Sequence, residues 1–225
     1  VMNKAIKERE APSNTYPFGK GGFEIGKLAE ETAKRYLSPH DLELIKNSPQ
    51  QNPVLELSRR VFLFSYLCFG MSFIDEAMLT KNNIDMFGAE EHIVYKRQKT
   101  QNAKNTKPIT IPVTPAIREQ LEWFKANTTL TGNYLLPIIT RDYEGEQLYD
   151  HIRSRYGLKQ LGKLLHIRMN LTTYVSRHTM AMTLQGNDVP REIISQALGH
   201  RNLTTTNVYL DSFSTSVLDR VAKIL

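Results

Sequence analysis

Thr172–Leu210 reads TTYVSRHTMAMTLQGNDVPREIISQALGHRNLTTTNVYL, and the rest of the chain is organised around it. Residues three and four apart share a helical face, which puts Tyr174, Arg177, His178 and Ala181 together on one helix. Gly186 is a natural stop for that helix. A second short helix, opened by Asp188 as cap with Pro190 in its first turn, is expected to carry Ile193, Ile194, Ala197 and Leu198 inward and to end at Gly199. His200 follows directly. Tyr209 lies nine residues beyond it, behind three threonines, Thr204 to Thr206, suited to capping a third helix. The unit thus gathers a guanidinium on its buried side (Arg177), two imidazoles (His178, His200) and a phenol (Tyr209). A guanidinium fork matches phosphate oxygens, and a tyrosine oxygen is a covalent nucleophile once its anion is stabilised. The combination suggests phosphoryl transfer to tyrosine.

Composition narrows the class. The 225 residues are 40% apolar, enough to bury a core, and carry a net charge of +6. A pI near 9.3 favours a polyanionic partner. The single cysteine, Cys68, sits in an apolar run and reads as a core residue of a reduced, cytoplasmic protein. Cysteines and histidines are not spaced as a metal site. The N-terminus has no apolar leader, and the longest apolar run, Val61 to Ile74, is too short and interrupted to span a bilayer, so no membrane partner is expected. A start at Val1 instead of Met suggests a piece of a longer polypeptide.

Arg177-His178-Thr179, then Leu198-Gly199-His200, then Tyr209 resemble the R-H-T, L-G-H and tyrosine signature of the tyrosine recombinase, or phage integrase, catalytic domain. Singly, an Arg-His pair reads as a surface pair and a tyrosine behind threonines as a packing residue; three motifs at the right mutual spacing are specific. The pattern is most similar to integrases of conjugative transposons and related mobile elements. The resemblance runs from about Leu37 to Leu225. It implies an α+β fold, mainly α-helical, with a small antiparallel β-sheet on one edge. Residues 38–225 would form the catalytic domain, and residues 1–37 a linker with the stub of an otherwise missing core-binding domain. The implied activity is site-specific cleavage and rejoining of DNA strands through a 3′-phosphotyrosine, integrating or excising a mobile element. No cofactor or metal is implied, because the phosphodiester energy stays in the protein–DNA bond. Implied partners are double-stranded DNA at recombination sites and other protomers in a tetrameric synapse, with accessory DNA-bending proteins as a further option. The terminal amphipathic helix, Ser214 to Leu225, would dock in trans.

Two positions depart from the family pattern. Gly70, Met71 and Asp75 match G-[LM]-R-x-x-[ED], but Ser72 stands where the first catalytic arginine belongs. Tyr174 stands where His or Lys is usual, and a phenol donates a hydrogen bond without carrying positive charge. From Glu91 the hydrophobic period shifts to two: His92 to Arg97, a polar turn through Asn105, then Pro108 to Val113. This predicts a β-hairpin with a cationic edge of Lys96, Arg97, Lys99, Lys104 and Lys107. Lys99 fits the family's hairpin lysine, which protonates the departing 5′ oxygen. Arg97, beside it, is the candidate for the missing cation, against the plainer reading of an exposed strand residue. By the same resemblance Arg177 and His200 stabilise the transition state, while His178 braces the helix.

Elsewhere, Ser38-Pro39 opens a short helix, a long apolar helix covers about Asn52 to Phe69, and Gly70 ends it. Ser72 and Asp75 form a capping pair for a helix through Leu79. Thr114-Pro115 opens a helix to Asn127 with Ile117, Leu121 and Phe124 inward and Trp123 as packing. Asn133 to Ile139 is an edge strand or buried loop. A helix from Gln147 to His166 carries Arg153, Arg155, Lys159 and Lys163, either as a solvated face or as a strip along the phosphate backbone; His151 and His166 are structural. Two rival functions remain: a degenerate recombinase fold that only binds DNA, and, behind it, a type IB topoisomerase.

Overall fold

The computed structural model describes residues 2–12, 35–102, 107–140, 157–200, 203–207 and 210. Two units separate, Val1–Lys34 and Arg35–Leu225. The first contains the short helix α1 (Met2–Lys7).

In the second unit the architecture turns on α3 (Pro53–Leu67). Val61, Phe62, Leu63 and Phe64 are four consecutive residues no more than 5% exposed, so this helix is covered on opposite sides. Asn52 caps it, its side-chain oxygen accepting from the Val54 and Leu55 amides. Past its end the chain reverses through Gly70 at φ +64. On one side Val61, Phe64 and Cys68 pack with the sheet and with α5 (Pro115–Asn127). On the other, Leu55, Phe62 and Leu63 pack with α2 (Pro39–Asn47), with Leu158 and Leu161, and with Val175. The expected caps of α2 and α5 form, Ser38 accepting from the Asp41 amide and Thr114 from the Ile117 amide. Trp123 serves packing, with the Arg60 guanidinium 5.1 Å over its ring.

The sheet has three antiparallel strands in the order β1 (Ile84–Phe87), β2 (Glu90–Tyr95), β3 (Ile109–Pro112). Ile93 faces Ile84 on one side and Ile111 on the other, and the alternating Ile93, Tyr95, Ile109 and Ile111 are buried, as the period of two requires. The fold is therefore mainly helical with a small antiparallel sheet. Two details differ from expectation. β1 is an added strand whose Met86 and Phe87 are about half exposed, which is why its pattern does not alternate. Lys96 and Arg97 lie past the end of β2. Between Ala77, the last residue of α4 (Phe73–Ala77), and β1, Thr80 bridges to Tyr134, and Leu136, Ile138 and Ile139 are buried, so 133–139 is a buried loop with one bridge.

α6 (Leu158–Leu164) starts from Gly157 as its N-cap, so the anticipated helix from Gln147 does not run unbroken through that point. Its Lys159 and Lys163 are exposed; His151, Arg153 and Arg155 lie outside the described residues. α7 (Thr173–Gly186) appears as expected. α8 (Arg191–Ala197) takes Pro190 as N-cap position, not Asp188, which sits in the turn at φ 59. Ile194 and Ser195 are the buried residues of α8 and Leu198 is buried at its C-cap; Ile193 is 54% exposed, not buried. The three threonines fall inside α9 (Leu203–Asn207) and do not cap it. Among the described residues no helix is long and apolar enough to cross a membrane.

A buried ionic cluster fixes the start of α3. Glu56, 7% exposed, accepts from Nε and Nη2 of Arg59, from Nε of Arg60 and from the Gln50 amide. Arg59 also donates to the Ile45 and Lys46 carbonyls, tying α2 to α3. Removing the carboxylate leaves a buried guanidinium without its counter-charge. Glu56→Ala is therefore expected to cost about 3–5 kcal/mol, read as a drop in the urea midpoint at unchanged slope; a loss below about 1 kcal/mol would contradict this account.

Candidate functional site

Arg177 is 3% exposed, an unusual depth for a charged side chain. α7 carries it inward because Ser176 and Ser65, each 2% exposed or less, meet at 2.6 Å and let α7 approach α3 closely. Gly70 completes the approach: a Cβ there would lie 2.8 Å from the Arg177 Cα. The guanidinium donates through Nη1 to the Gly70 carbonyl (2.6 Å) and through Nη2 to the Leu198 carbonyl. The same Nη2 lies 3.2 Å from Nε2 of His200.

A second guanidinium reaches the same turn from the sheet side. Nη1 of Arg97 donates to the Gly199 carbonyl at 3.3 Å. Gly199, at φ +63, makes room: a Cβ would meet Ile109 Cδ1 at 2.4 Å and Arg97 Cδ at 2.9 Å. Two arginines from distant parts of the chain thus hold consecutive carbonyls of Leu198-Gly199-His200. The imidazole of His200 reports their field. Burial first, then the positive charges of Arg177 and Arg97, push its pKa down to about 4, so it is neutral at physiological pH. Its Nδ1 lies 2.8 Å from Oγ1 of Thr206, which is fully buried.

Ser72 caps α4 and donates its hydroxyl to Asp75 Oδ2. Asp75, 3% exposed, also accepts from the Gln98 amide at 2.7 Å and lies 3.9 Å from Nε of Arg97. This carboxylate therefore anchors the start of the loop after β2. Lys99 sits exposed in the turn beyond it, where the Thr100 amide donates to the Arg97 carbonyl.

Of the residues singled out in the sequence, Arg177, His200 and Arg97 converge, and Lys99 is two residues past Arg97. Tyr174 lies one turn before Arg177 but is 53% exposed, its ring edge-on to His178 at 4.8 Å. Burial, and then the charge of Arg177, lower the His178 pKa. Tyr209 lies outside the described residues, but its neighbour Leu210 is 3% exposed in a cluster with Met180, Ala181, Ile194 and Leu198. The sequence reading missed Thr206. Its signal was its place six residues past His200, in a run of threonines that read as caps.

The phage integrase family matches residues 35–215. Tyrosine recombinase XerD of Halalkalibacterium halodurans is 26% identical over 200 residues, covering 87% of this chain and 63% of the relative. Tyrosine recombinase XerC of Rhodospirillum centenum is 26% identical over 153 residues, covering 68% of this chain and 42% of the relative. The chain thus spans less than two thirds of either. Among solved structures, the Tn1549 transposon integrase in complex with a circular intermediate DNA superposes with a TM-score of 0.64 at 14% identity, over 100% of this chain and 75% of that one. XerA recombinase superposes at 0.58 and 15% identity, over 87% and 65%. At such identities the structural likeness speaks for the fold: mostly helical with a small antiparallel sheet.

The depressed pKa of His200 has a consequence for acid stability. Its ordinary value is 6.5 and its folded value about 4, so between these the unfolded chain binds more protons and stability falls as pH falls. Thermal melts from pH 7.5 to 4 should show a loss across this window that is smaller in His200→Asn. An identical pH slope in the variant would refute the assignment.

Proposed function

The chain belongs to the phage integrase family, and on that premise we propose that residues 38–225 are the catalytic domain of a site-specific DNA recombinase. The observation that carries the proposal is the meeting of Arg177, Arg97 and His200 on one turn, nine residues before a tyrosine. Two guanidiniums offer planar donors to the non-bridging oxygens of one phosphodiester. The Tyr209 oxygen forms a bond to phosphorus as the bond to the 5′ oxygen breaks, leaving a 3′-phosphotyrosine. Lys99 gives a proton to the departing 5′ oxygen, a role worth roughly 10²–10⁴-fold. Arg177, Arg97 and His200 stabilise the charge on the five-coordinate phosphorus. Reversal with the 5′ hydroxyl of another strand rejoins the DNA, so ATP and metal are not used.

Arg97 takes the charge that Ser72 lacks. Ser72 is engaged with Asp75 and α4, whereas Arg97 reaches the Gly199 carbonyl beside His200. Tyr174, half exposed at the rim, would donate to a phosphate oxygen. The partners of this reading are double-stranded recombination sites and further protomers in a synapse, and the reaction serves integration or excision of a mobile element. The DNA in the Tn1549 integrase complex supports the polyanionic partner, as does the net charge of +6.

A nicked suicide DNA substrate should leave a covalent adduct on denaturing gels with the native chain and none with Tyr209→Phe. Salt-dependent DNA binding without any adduct would instead identify a binding module that has lost its chemistry. Arg97→Ala should slow adduct formation by roughly 10²–10³-fold, the usual loss of one transition-state donor, while reducing the salt slope of binding by about 1. An equal loss of cleavage and binding would reduce Arg97 to a backbone contact.

A further inference from the structure

We propose that Thr206 is a positioning residue that fixes the tautomer of His200, presenting the Nε2 edge of the imidazole to the reacting phosphate. The inference rests on the recombinase reading for its consequence, but the tautomer itself follows from the contacts of two ring nitrogens. A guanidinium has donors only, so Nε2, 3.2 Å from Nη2 of Arg177, must be the acceptor of that pair. A neutral imidazole then carries its hydrogen on Nδ1, and the group 2.8 Å from Nδ1 is Oγ1 of Thr206. The ring is neutral at physiological pH, because burial and the charges of Arg177 and Arg97 hold its pKa near 4. The Nδ1–H form is the one a solvated histidine disfavours, so it needs a dedicated acceptor. Thr206 supplies one at 0% exposure, where water does not compete.

The same hydroxyl serves the ring in either charge state. While His200 is neutral, Nε2 keeps its lone pair toward Arg177. When an anion offsets the two guanidiniums and the ring takes up a proton, Nδ1–H still donates to Thr206 and the new Nε2–H points at the anion. A side chain that only capped a helix would have no bearing on which edge is presented. Thr206 also precedes Tyr209 by three residues in sequence, so the segment that orients the imidazole leads directly into the nucleophile.

The test combines ¹⁵N-histidine NMR with the suicide-substrate assay on the 225-residue chain. The His200 signals are assigned by their loss in His200→Asn. The native chain at pH 7.5 should show protonated Nδ1 and unprotonated Nε2. Thr206→Ser should keep that pattern and near-native cleavage. Thr206→Val, close in shape but without the acceptor, should shift the ring toward the Nε2–H form and slow adduct formation about 10- to 100-fold, by analogy with the loss when the outer partner of a metal-bound imidazole is removed. An Nε2–H ring in the native chain overturns the proposal, whether or not the valine variant folds. So does native cleavage by a folded Thr206→Val. If the native chain shows the Nδ1–H form but forms no adduct, the recombinase reading fails while the tautomer assignment stands.

Discussion

The burial of one guanidinium is the constraint on which the rest of the site depends. Arg177 sits at 3% exposure and donates to the carbonyls of Gly70 and Leu198. Those carbonyls belong to the reversal after α3 and to the end of α8, so one side chain on α7 joins three separate segments. Truncating it would leave both carbonyls buried without their donor, at about 1–3 kcal/mol each. Glycine at position 70 is required by the same interaction, because the backbone there passes within a Cβ's reach of Arg177. Position 70 has no freedom to vary while α7 lies so near.

Charge of one sign collected in a poorly hydrated place has an energetic direction. Burial is the larger cause of the His200 pKa falling from 6.5 to about 4 and opposes any charge there, but the part owed to Arg177 and Arg97 opposes a further cation and favours an anion. A phosphodiester entering such a place meets donors already held by backbone carbonyls, which need little reorganisation as its charge grows toward the transition state. Asp75 is set back from this: it accepts from Ser72 and from the Gln98 amide and lies 3.9 Å from Arg97 Nε, close enough to orient that arginine from behind. Fold stability and anion affinity pull in different directions here. The buried carbonyls, glycines and serines around Arg177 are what hold the like charges close.

The sequence carried most of this where a single side chain decided the local outcome. Ser38 and Thr114 cap the helices they were expected to open, because each has an oxygen in reach of an amide three residues on. Gly70 and Gly199 end their segments in the left-handed conformation that glycine permits. The motif residues Arg177 and His200 lie within 3.2 Å of one another. Legibility ended where tertiary contacts overrode local preference. Ile193 is apolar yet exposed, because α8 turns Ile194 and Ser195 inward instead, with Leu198 buried just past its end. β1 carries no alternation, since three of its four residues are exposed. Thr206 looked like a cap and is instead the partner of an imidazole that short-range rules cannot bring to it.

On the proposed reading, Ser72 and Arg97 together would let a charge change address without changing destination. Position 72 opens α4, where a hydroxyl does something a guanidinium cannot: it accepts from the Asp75 amide to cap the helix while donating to the Asp75 carboxylate. A cation for the proposed site would then come from elsewhere, and the loop after β2 is the neighbouring segment, since its Gln98 amide is already bound to Asp75. Arg97, one residue earlier, therefore starts beside that carboxylate, and its side chain is long enough to reach the Gly199 carbonyl. Only glycine at position 199 leaves the space through which its Cδ passes. Serine at 72, aspartate at 75, arginine at 97 and glycine at 199 are in this sense one linked set: an arginine placed at 72 would compete with Arg97 for the same carboxylate and bring a third guanidinium toward a turn that already holds two.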